Sequence, residues 1–353
     1  MTAVAAVEAT ARPTAPSRSA RWLVPTASVL LALAVGAVLI TIEDASPIDV
    51  YRAAWDSLFT GRFGWRDTLV AASPLVLIGL GLSVAYRARV FTIGAEGQYV
   101  IGATAAVALV TAPAVSGWPG PLLVVVGSVA AAVAGAGWSA ISGWLLSRFG
   151  TSVVISSLLL NYVATSIVAW AIRVAIRDPE GFVPRSRELG RASLATVPGL
   201  DVHAGVLVAA AAVVAALVVT RTRWWFLVEV HGHSPDVLDA HEMPGCRLVR
   251  GVLVASGAVA GLAGFMEIAG VSGRLTSSTS VGYGFTAIVV AVLGRLRPLG
   301  VAVAALLLSG LTIGFEGAER DYDLPSSLVG VIQALIVLFV VLGDGAVSRW
   351  GSN

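Results

Sequence analysis

The sequence contains no lysine, and all 23 of its cationic side chains are arginine. A phosphate-binding loop ending in Gly-Lys-Ser/Thr is therefore excluded, as is a lysine Schiff base to a retinal or pyridoxal group. Any ATP hydrolysis connected with this chain belongs to another protein. Cysteine is nearly absent as well: the single Cys246 cannot form an internal disulfide and reads as a small packing residue. Charge is also scarce. Charged residues make up 12% of 353 positions, where soluble domains carry about 25%. A net charge of +2 is too small to suggest a nucleic-acid surface.

What fills the sequence instead is apolar. Hydrophobic residues reach 57% and fall in long blocks, several near the roughly 20 residues that an α-helix needs to cross a bilayer. Backbone groups in hydrocarbon must be satisfied within their own segment, so long continuous blocks mean helices. Barrel strands give short alternating patterns instead. The expected fold is all-α, a polytopic bundle of about ten transmembrane helices with the lipid bilayer as its solvent. The blocks run approximately over 22–42, 68–86, 93–112, 120–147, 152–172, 204–220, 251–271, 285–294, 299–315 and 326–342.

Residues 1–21, rich in Ala, Pro, Ser, Thr and Arg, read as a disordered cytoplasmic tail before a transmembrane domain over 22–343, and 344–353 as a second cytoplasmic tail. The block 22–42 exceeds a 7–15 residue signal-peptide core and lacks a small-x-small cleavage site, so it reads as an uncleaved first helix. Placing both termini in the cytoplasm puts 13 of the 23 Arg inside and 10 outside, with the short turns at Arg87/Arg89 and Arg295/Arg297 purely basic. Most outside Arg lie in two longer loops, 43–67 and 173–203, among acidic residues. Trp22, Trp65, Trp118, Trp144 and Trp224 near block ends fit interfacial anchors. Small residues four apart (Gly135, Ser139 and Gly143; Gly257 and Gly261; Gly310 and Gly314) predict closely packed helices.

The cytoplasmic loop 221–250 encodes a short helix with no bilayer to bury it. Ser234 suits an N-cap, Pro235 the first helical position, and Asp236 the helix dipole, while Pro244-Gly245 stops it. Val237, Leu238, Ala240 and Met243 give the segment 235–243 apolar surface, with Asp239 among them, to pack on the bundle or in a groove of another protein. His231, His233 and His241 share this loop, but without cysteine ligands at a metal spacing they read as solvated side chains, so no metal is expected.

A polar run over 272–284, with Arg274 and Tyr283, precedes an apolar block too short to span. It is either a half-helix at a watery path or a helix starting near Val281 that crosses at a thin place. Glu96 and Glu267 lie within apolar blocks, where an ionisable group marks a functional or inward-facing site. Gln98, Asn161 and Gln333 are neutral polar residues in similar surroundings. For all five a structural hydrogen bond is favoured over substrate contact. As candidates for a substrate path the sequence offers Glu96, Gln98, Asn161, Arg274 and Tyr283.

The stretch Phe91-Thr92-Ile93-Gly94-Ala95-Glu96-Gly97-Gln98 resembles the N-I-G-x-E-G-Q signature of ABC importer permeases for nucleosides, a group beside those for simple sugars and branched-chain amino acids. Further matches follow in order: Arg148-Phe149-Gly150-Thr151 with Val154-Ile155-Ser156, Leu160-Asn161-Tyr162, Gly282-Tyr283-Gly284-Phe285-Thr286-Ala287-Ile288, and Gly294 with Pro298-Leu299-Gly300. The resemblance covers about 65–343. It implies a non-enzymatic transport subunit without a cofactor of its own, with ATP-Mg on a partner ABC ATPase. It also implies a second related permease and an extracytoplasmic substrate-binding lipoprotein. The segment at 235–243 then corresponds to the coupling helix that meets the ATPase, through Ser234, Pro235, Asp236, Leu238 and Asp239. It departs from the family pattern G-x-N-P-x-A-A-x-x-A-G-I at Ser234, Val237, Leu238, His241 and Glu242. The rival classes lack support. A secondary transporter needs internal repeats and ion-coupling groups, and no convincing repeat is present. An intramembrane enzyme needs a nucleophile and base, yet the four His are expected in loops.

Overall fold

The computed structural model describes residues 30–31, 33–59, 64–234, 245–279, 282–325 and scattered positions between 327 and 342. The described residues are helical apart from turns, loops and three isolated bridges. In chain order the helices are α1 (Leu33–Ile42), α2 (Pro47–Phe59), α3 (Gly64–Arg87), α4 (Ala95–Val110), α5 (Gly120–Phe149) and α6 (Val153–Arg173). There follow α7 (Gly205–Val219), α8 (Arg223–His233), α9 (Gly245–Glu267), α10 (Tyr283–Leu293) and α11 (Pro298–Tyr322). A π-helical turn, Ile268–Ser272, extends α9.

Five helices are long and apolar enough to cross a membrane: α3, α5, α6, α9 with its π turn, and α11. The pair α7 and α8, bent by 75° at the break between them, makes a sixth if counted as one span. Helices α1, α4 and α10 are apolar but shorter. The protein is thus an all-α, multi-pass membrane protein, while ten separate spans are more than the described helices establish. Two stretches expected as loops contain helices. Residues 43–67 hold α2, whose start at Pro47 has the preset φ a first turn favours. The loop from 221 opens with α8, capped by Thr222, whose hydroxyl accepts from Trp225 N at 3.4 Å. His231 and His233 therefore end a helix, and Ser234 is its C-cap. Gly245 opens α9.

Two compact units are present, Trp65–Gly310 and, separately, the residues up to Gly64 with those from Leu311. The second has its own small core of Ile40, Val50, Phe315, Ala318, Leu324 and Ile332. In the larger unit the centre is the packing of α4, α5 and α9. Helix α5 shows why. One face carries Gly127, Ala131, Gly135, Ser139 and Gly143, all buried, at a spacing of four. A neighbouring stripe of Val125, Val129 and Val133 is exposed, as a lipid-facing surface requires. The small face meets Gly257 and Gly261 of α9 so closely that a Cβ on Gly257 would lie 2.5 Å from Ser139 Cβ. A Cβ on Gly261 would strike Ala131 O and approach Gly135 Cα to 3.1 Å. Gly102 of α4 meets the Gly261 backbone from the other side. Ser139 Oγ then donates to Leu253 O at 2.7 Å across this contact.

Gly261→Ala forces three backbones apart and should destabilise the solubilised protein by about 1–3 kcal/mol, the usual cost of overpacking. Gly137, with nothing within 4 Å of its would-be Cβ, lies on the exposed face of the same α5. Gly137→Ala should leave thermal unfolding unchanged or raise its midpoint slightly. Equal midpoints for the two variants would remove the close contact as a determinant of stability.

Candidate functional site

Between α3 and α4 the chain runs through Ala88–Gly94 without regular structure, largely buried, so its backbone groups need partners from the protein. The turn out of α3 is made by Arg89 at φ 55°, which lets Val90 N reach Ala85 O at 2.9 Å. Tyr86 OH donates to Thr92 O (2.8 Å), and Thr92 Oγ1 accepts from Gly94 N (3.2 Å). Helix α6 supplies the rest. Ser157 Oγ accepts from Ile93 N at 3.1 Å, Asn161 Nδ2 donates to Ile93 O at 2.9 Å, and Asn161 Oδ1 accepts from Gly97 N at 2.9 Å. Gly94, at the N-cap of α4, makes no side-chain cap, so Asn161 provides from another helix the acceptor that a local Ser or Asp ordinarily gives. This entry lies level with Trp138, deep in α5: a Cβ on Gly97 would stand 3.1 Å from Trp138 Nε1.

Helix α10 begins beside it. The fully buried Glu96 carboxylate accepts from Gly282 N at 3.2 Å and from Gly284 N at 2.7 Å. Those are first-turn donors of α10, and Glu96 also lies in the first turn of α4. One carboxylate thus serves two helix N-termini, each carrying a partial positive charge. Gly282 takes φ 84°, and a Cβ on Gly284 would collide with the backbone at Glu96, so both glycines are needed for this approach. Helix α10 is 11 residues long and begins at Tyr283, against the first turn of α4.

The structure brings Glu96, Gln98, Asn161 and Tyr283 to this junction, with Gln98 buried beside Gly94 and the Tyr283 ring 5.8 Å from that of Tyr99. Arg274 has its partners elsewhere. Its guanidinium pairs with Asp178 (3.0 Å) and Glu188 (2.8 Å) on the loop between α6 and α7, and Asp178 also takes Arg185 (3.2 Å). The backbone N–H of Glu180, then Arg185 and Arg274, hold the Asp178 carboxyl below its usual range. The same loop is stitched to the segment after α9 by Ser186 N to Leu275 O (2.9 Å), Leu189 N to Gly273 O (3.0 Å) and Leu194 N to Ala269 O (2.8 Å). His203 packs its ring where a Cβ on Gly270 would be, and burial pushes its imidazole below the ordinary value. Its Nδ1 accepts from Gly205 N at 3.1 Å.

Sequence reasoning passed over Tyr86, Ser157, Tyr99 and Asp178, whose types are ordinary in helices and loops. Among the described residues, no group of three or more His, Cys, Asp or Glu could hold a metal ion. Four buried polar atoms near α4 have no partner: Gln98 Oε1, Tyr99 OH, Trp138 Nε1 and Glu267 Oε2. At the opposite end from the α6–α7 loop, a concavity of about 440 Å³ is lined by Arg89, Phe91, Leu146, Val153, His231 and Val249. The segment 235–243, expected to be the coupling helix, lies outside the described residues, as does Gln333.

Residues 65–341 match the family of branched-chain amino acid transport system permease components. The chain belongs to this family. It is 38% identical over 344 residues to the glucose ABC transporter permease protein TsgB13 of Haloferax volcanii, covering 92% of this chain and 88% of that one. It is 32% identical to the guanosine ABC transporter permease protein NupP of Bacillus subtilis, covering 92% of this chain and 94% of the relative. The guanosine permease protein NupQ of the same organism matches at 26%, over 78% of this chain and 86% of its own length. No solved structure matches.

Asn161→Ala removes the partners of Gly97 N–H and Ile93 C=O together, and each buried group left unpaired costs about 1–3 kcal/mol. Thermal unfolding of the purified protein should show a lower midpoint for Asn161→Ala and an intermediate one for Asn161→Asp, which keeps the acceptor alone. An unchanged midpoint in Asn161→Ala would mean that water replaces the side chain.

Proposed function

We propose that this permease subunit carries nucleosides in an ATP-driven importer. The supporting observation is the near end-to-end likeness to the guanosine permease NupP, with 92% of this chain and 94% of the relative aligned. The site agrees in its charge. The two N-termini that meet at Glu96 are the kind of positive ends that elsewhere receive anionic substrates, and here a carboxylate already occupies them. No positive charge is left to offer a phosphate or carboxylate, so the junction suits an uncharged polar solute. The path runs past Gln98 and Tyr283, with Glu96 and Asn161 holding the two helix starts and Arg274 fixing the loop above. A simple sugar is the second reading, favoured by the 38% identity to the glucose permease TsgB13.

The remaining parts follow from what this chain lacks. Without lysine it has no phosphate-binding loop, so ATP and its Mg²⁺ sit on a partner ATPase that docks on the segment 235–243 next to Ser234. A second permease pairs with it, as suggested by the likeness to both NupP and NupQ from one organism. An extracytoplasmic lipoprotein delivers the solute, and both termini face the cytoplasm.

Labelled guanosine, glucose and leucine offered to a deletion strain and its complemented parent decide the substrate. Complementation should restore guanosine uptake alone. Restoration of glucose uptake alone establishes the sugar reading, and restoration of leucine uptake removes both. Leu238→Asp, placing a charge on the apolar face of the coupling segment, should abolish copurification of the ATPase while the permease still reaches the membrane. Unaltered copurification and uptake would remove this segment from the coupling role.

A further inference from the structure

Two of the unpartnered buried atoms share one side of α4. Tyr99 is fully buried, its carbonyl lies against Gly264 of α9, and its hydroxyl has no hydrogen-bond partner. Glu267 stands one turn beyond Gly264 at the end of α9, and its Oε2 is buried and likewise unpartnered. Directly after Glu267 the helix widens into the π turn Ile268–Ser272, a feature often found at functional positions. The Tyr283 ring, at the start of α10, closes the third side 5.8 Å from Tyr99.

A polar atom buried without a partner is costly, and two together inside an apolar bundle need an explanation. Packing gives none, because a phenylalanine and a leucine fill much the same space without the cost. Both groups are competent toward hydroxyls: a carboxylate oxygen accepts, and a phenol donates or accepts. Two adjacent hydroxyls on neighbouring carbons offer the matching pair of partners.

We propose that Tyr99 and Glu267 form a hydrogen-bonding station for the vicinal diol of the transported solute, the ribose 2′- and 3′-hydroxyls in a nucleoside. The proposal rests on the nucleoside reading above only for the choice of probe, since glucose carries vicinal hydroxyls as well. The station has just two polar groups, as suits a permease that must release what it accepts.

The test uses the complete importer in cells and compares uptake of guanosine with that of 2′-deoxyguanosine and 3′-deoxyguanosine, for the parent, Glu267→Leu and Tyr99→Phe. The binding protein is the same in every strain, so its own preference cancels when variant ratios are divided by the parent ratio. We expect guanosine uptake to fall about ten-fold in each variant, the size of one lost hydrogen bond to a charged or buried partner. Uptake of the deoxynucleosides should fall far less, so that the preference collapses. An unchanged preference, or an equal loss for all three solutes at normal protein level, overturns the station and leaves both residues to packing. If one variant fails to accumulate, the other decides. If neither accumulates, both groups are determinants of folding and the proposal is withdrawn. Should the parent import glucose and no nucleoside, the nucleoside reading fails by itself, and the same comparison runs with glucose against 2-deoxyglucose.

Discussion

Backbone that is not helical has no solvent to turn to inside a membrane protein, and this constraint governs the interior of the larger unit. Two helices, α4 and α10, start within the bundle rather than at its ends. Each start exposes first-turn N–H groups and the irregular chain leading to them. The protein satisfies these groups with side chains carried on spans that are otherwise apolar: Tyr86 on α3, Ser157 and Asn161 on α6, and Glu96 on α4 itself. None of these bonds is local in the usual sense of a cap. Asn161 reaches across 64 residues of sequence to Gly97, and Glu96 across 188 to Gly284. The placement of α4 therefore depends on α6, and that of α10 on α4.

Such reach is possible only because the helices approach closely. Gly102, Gly135, Gly257 and Gly261 bring α4, α5 and α9 to backbone contact, where a single added methyl meets main-chain atoms. Close approach gains dispersion contacts and short cross-helix bonds such as Ser139 to Leu253, and in lipid these replace the hydrophobic drive that packs soluble cores. The glycines and the polar anchors belong to one arrangement: the first set the distance between helices, and the second use it.

Much of this arrangement was legible in the sequence, and what escaped did so for physical reasons. The long blocks gave α3, α5, α6, α9 and α11 because bilayer thickness dictates their length. The four-residue spacing of Gly135, Ser139 and Gly143, and of Gly257 and Gly261, announced a close contact, though not that the two stripes meet each other. Glu96 was legible as costly where it stands, and the structural hydrogen bond favoured for it and for Asn161 is what the geometry displays. Arg274 was drawn into the path because it sits in the polar run before α10. Its partners, Asp178 and Glu188, lie 96 and 86 residues away in a loop whose fold no local pattern encodes. Helices α2 and α8 read as loops because charged and polar residues interrupt the apolar ones over their 13 and 11 positions, leaving no continuous apolar block. Tyr99 gave no signal at all, since a tyrosine in an apolar block reads as packing until its hydroxyl is found without a partner.

The electrostatics of the junction follow from the same economy of groups. A carboxylate alone in hydrocarbon is prohibitively expensive, but Glu96 accepts two N–H bonds and faces two helix starts, which together supply roughly the charge of one cation. This compensation fixes the starts of α4 and α10 to each other and at the same time uses up the positive potential they present. What remains nearby without a partner is the Gln98 carbonyl, the Trp138 indole, the Tyr99 hydroxyl and one carboxylate oxygen of Glu267, with no cation among them. The way the bundle satisfies its own backbone thus also sets the electrostatics of the junction, because the groups that hold α4 and α10 in place decide which charges are left around them.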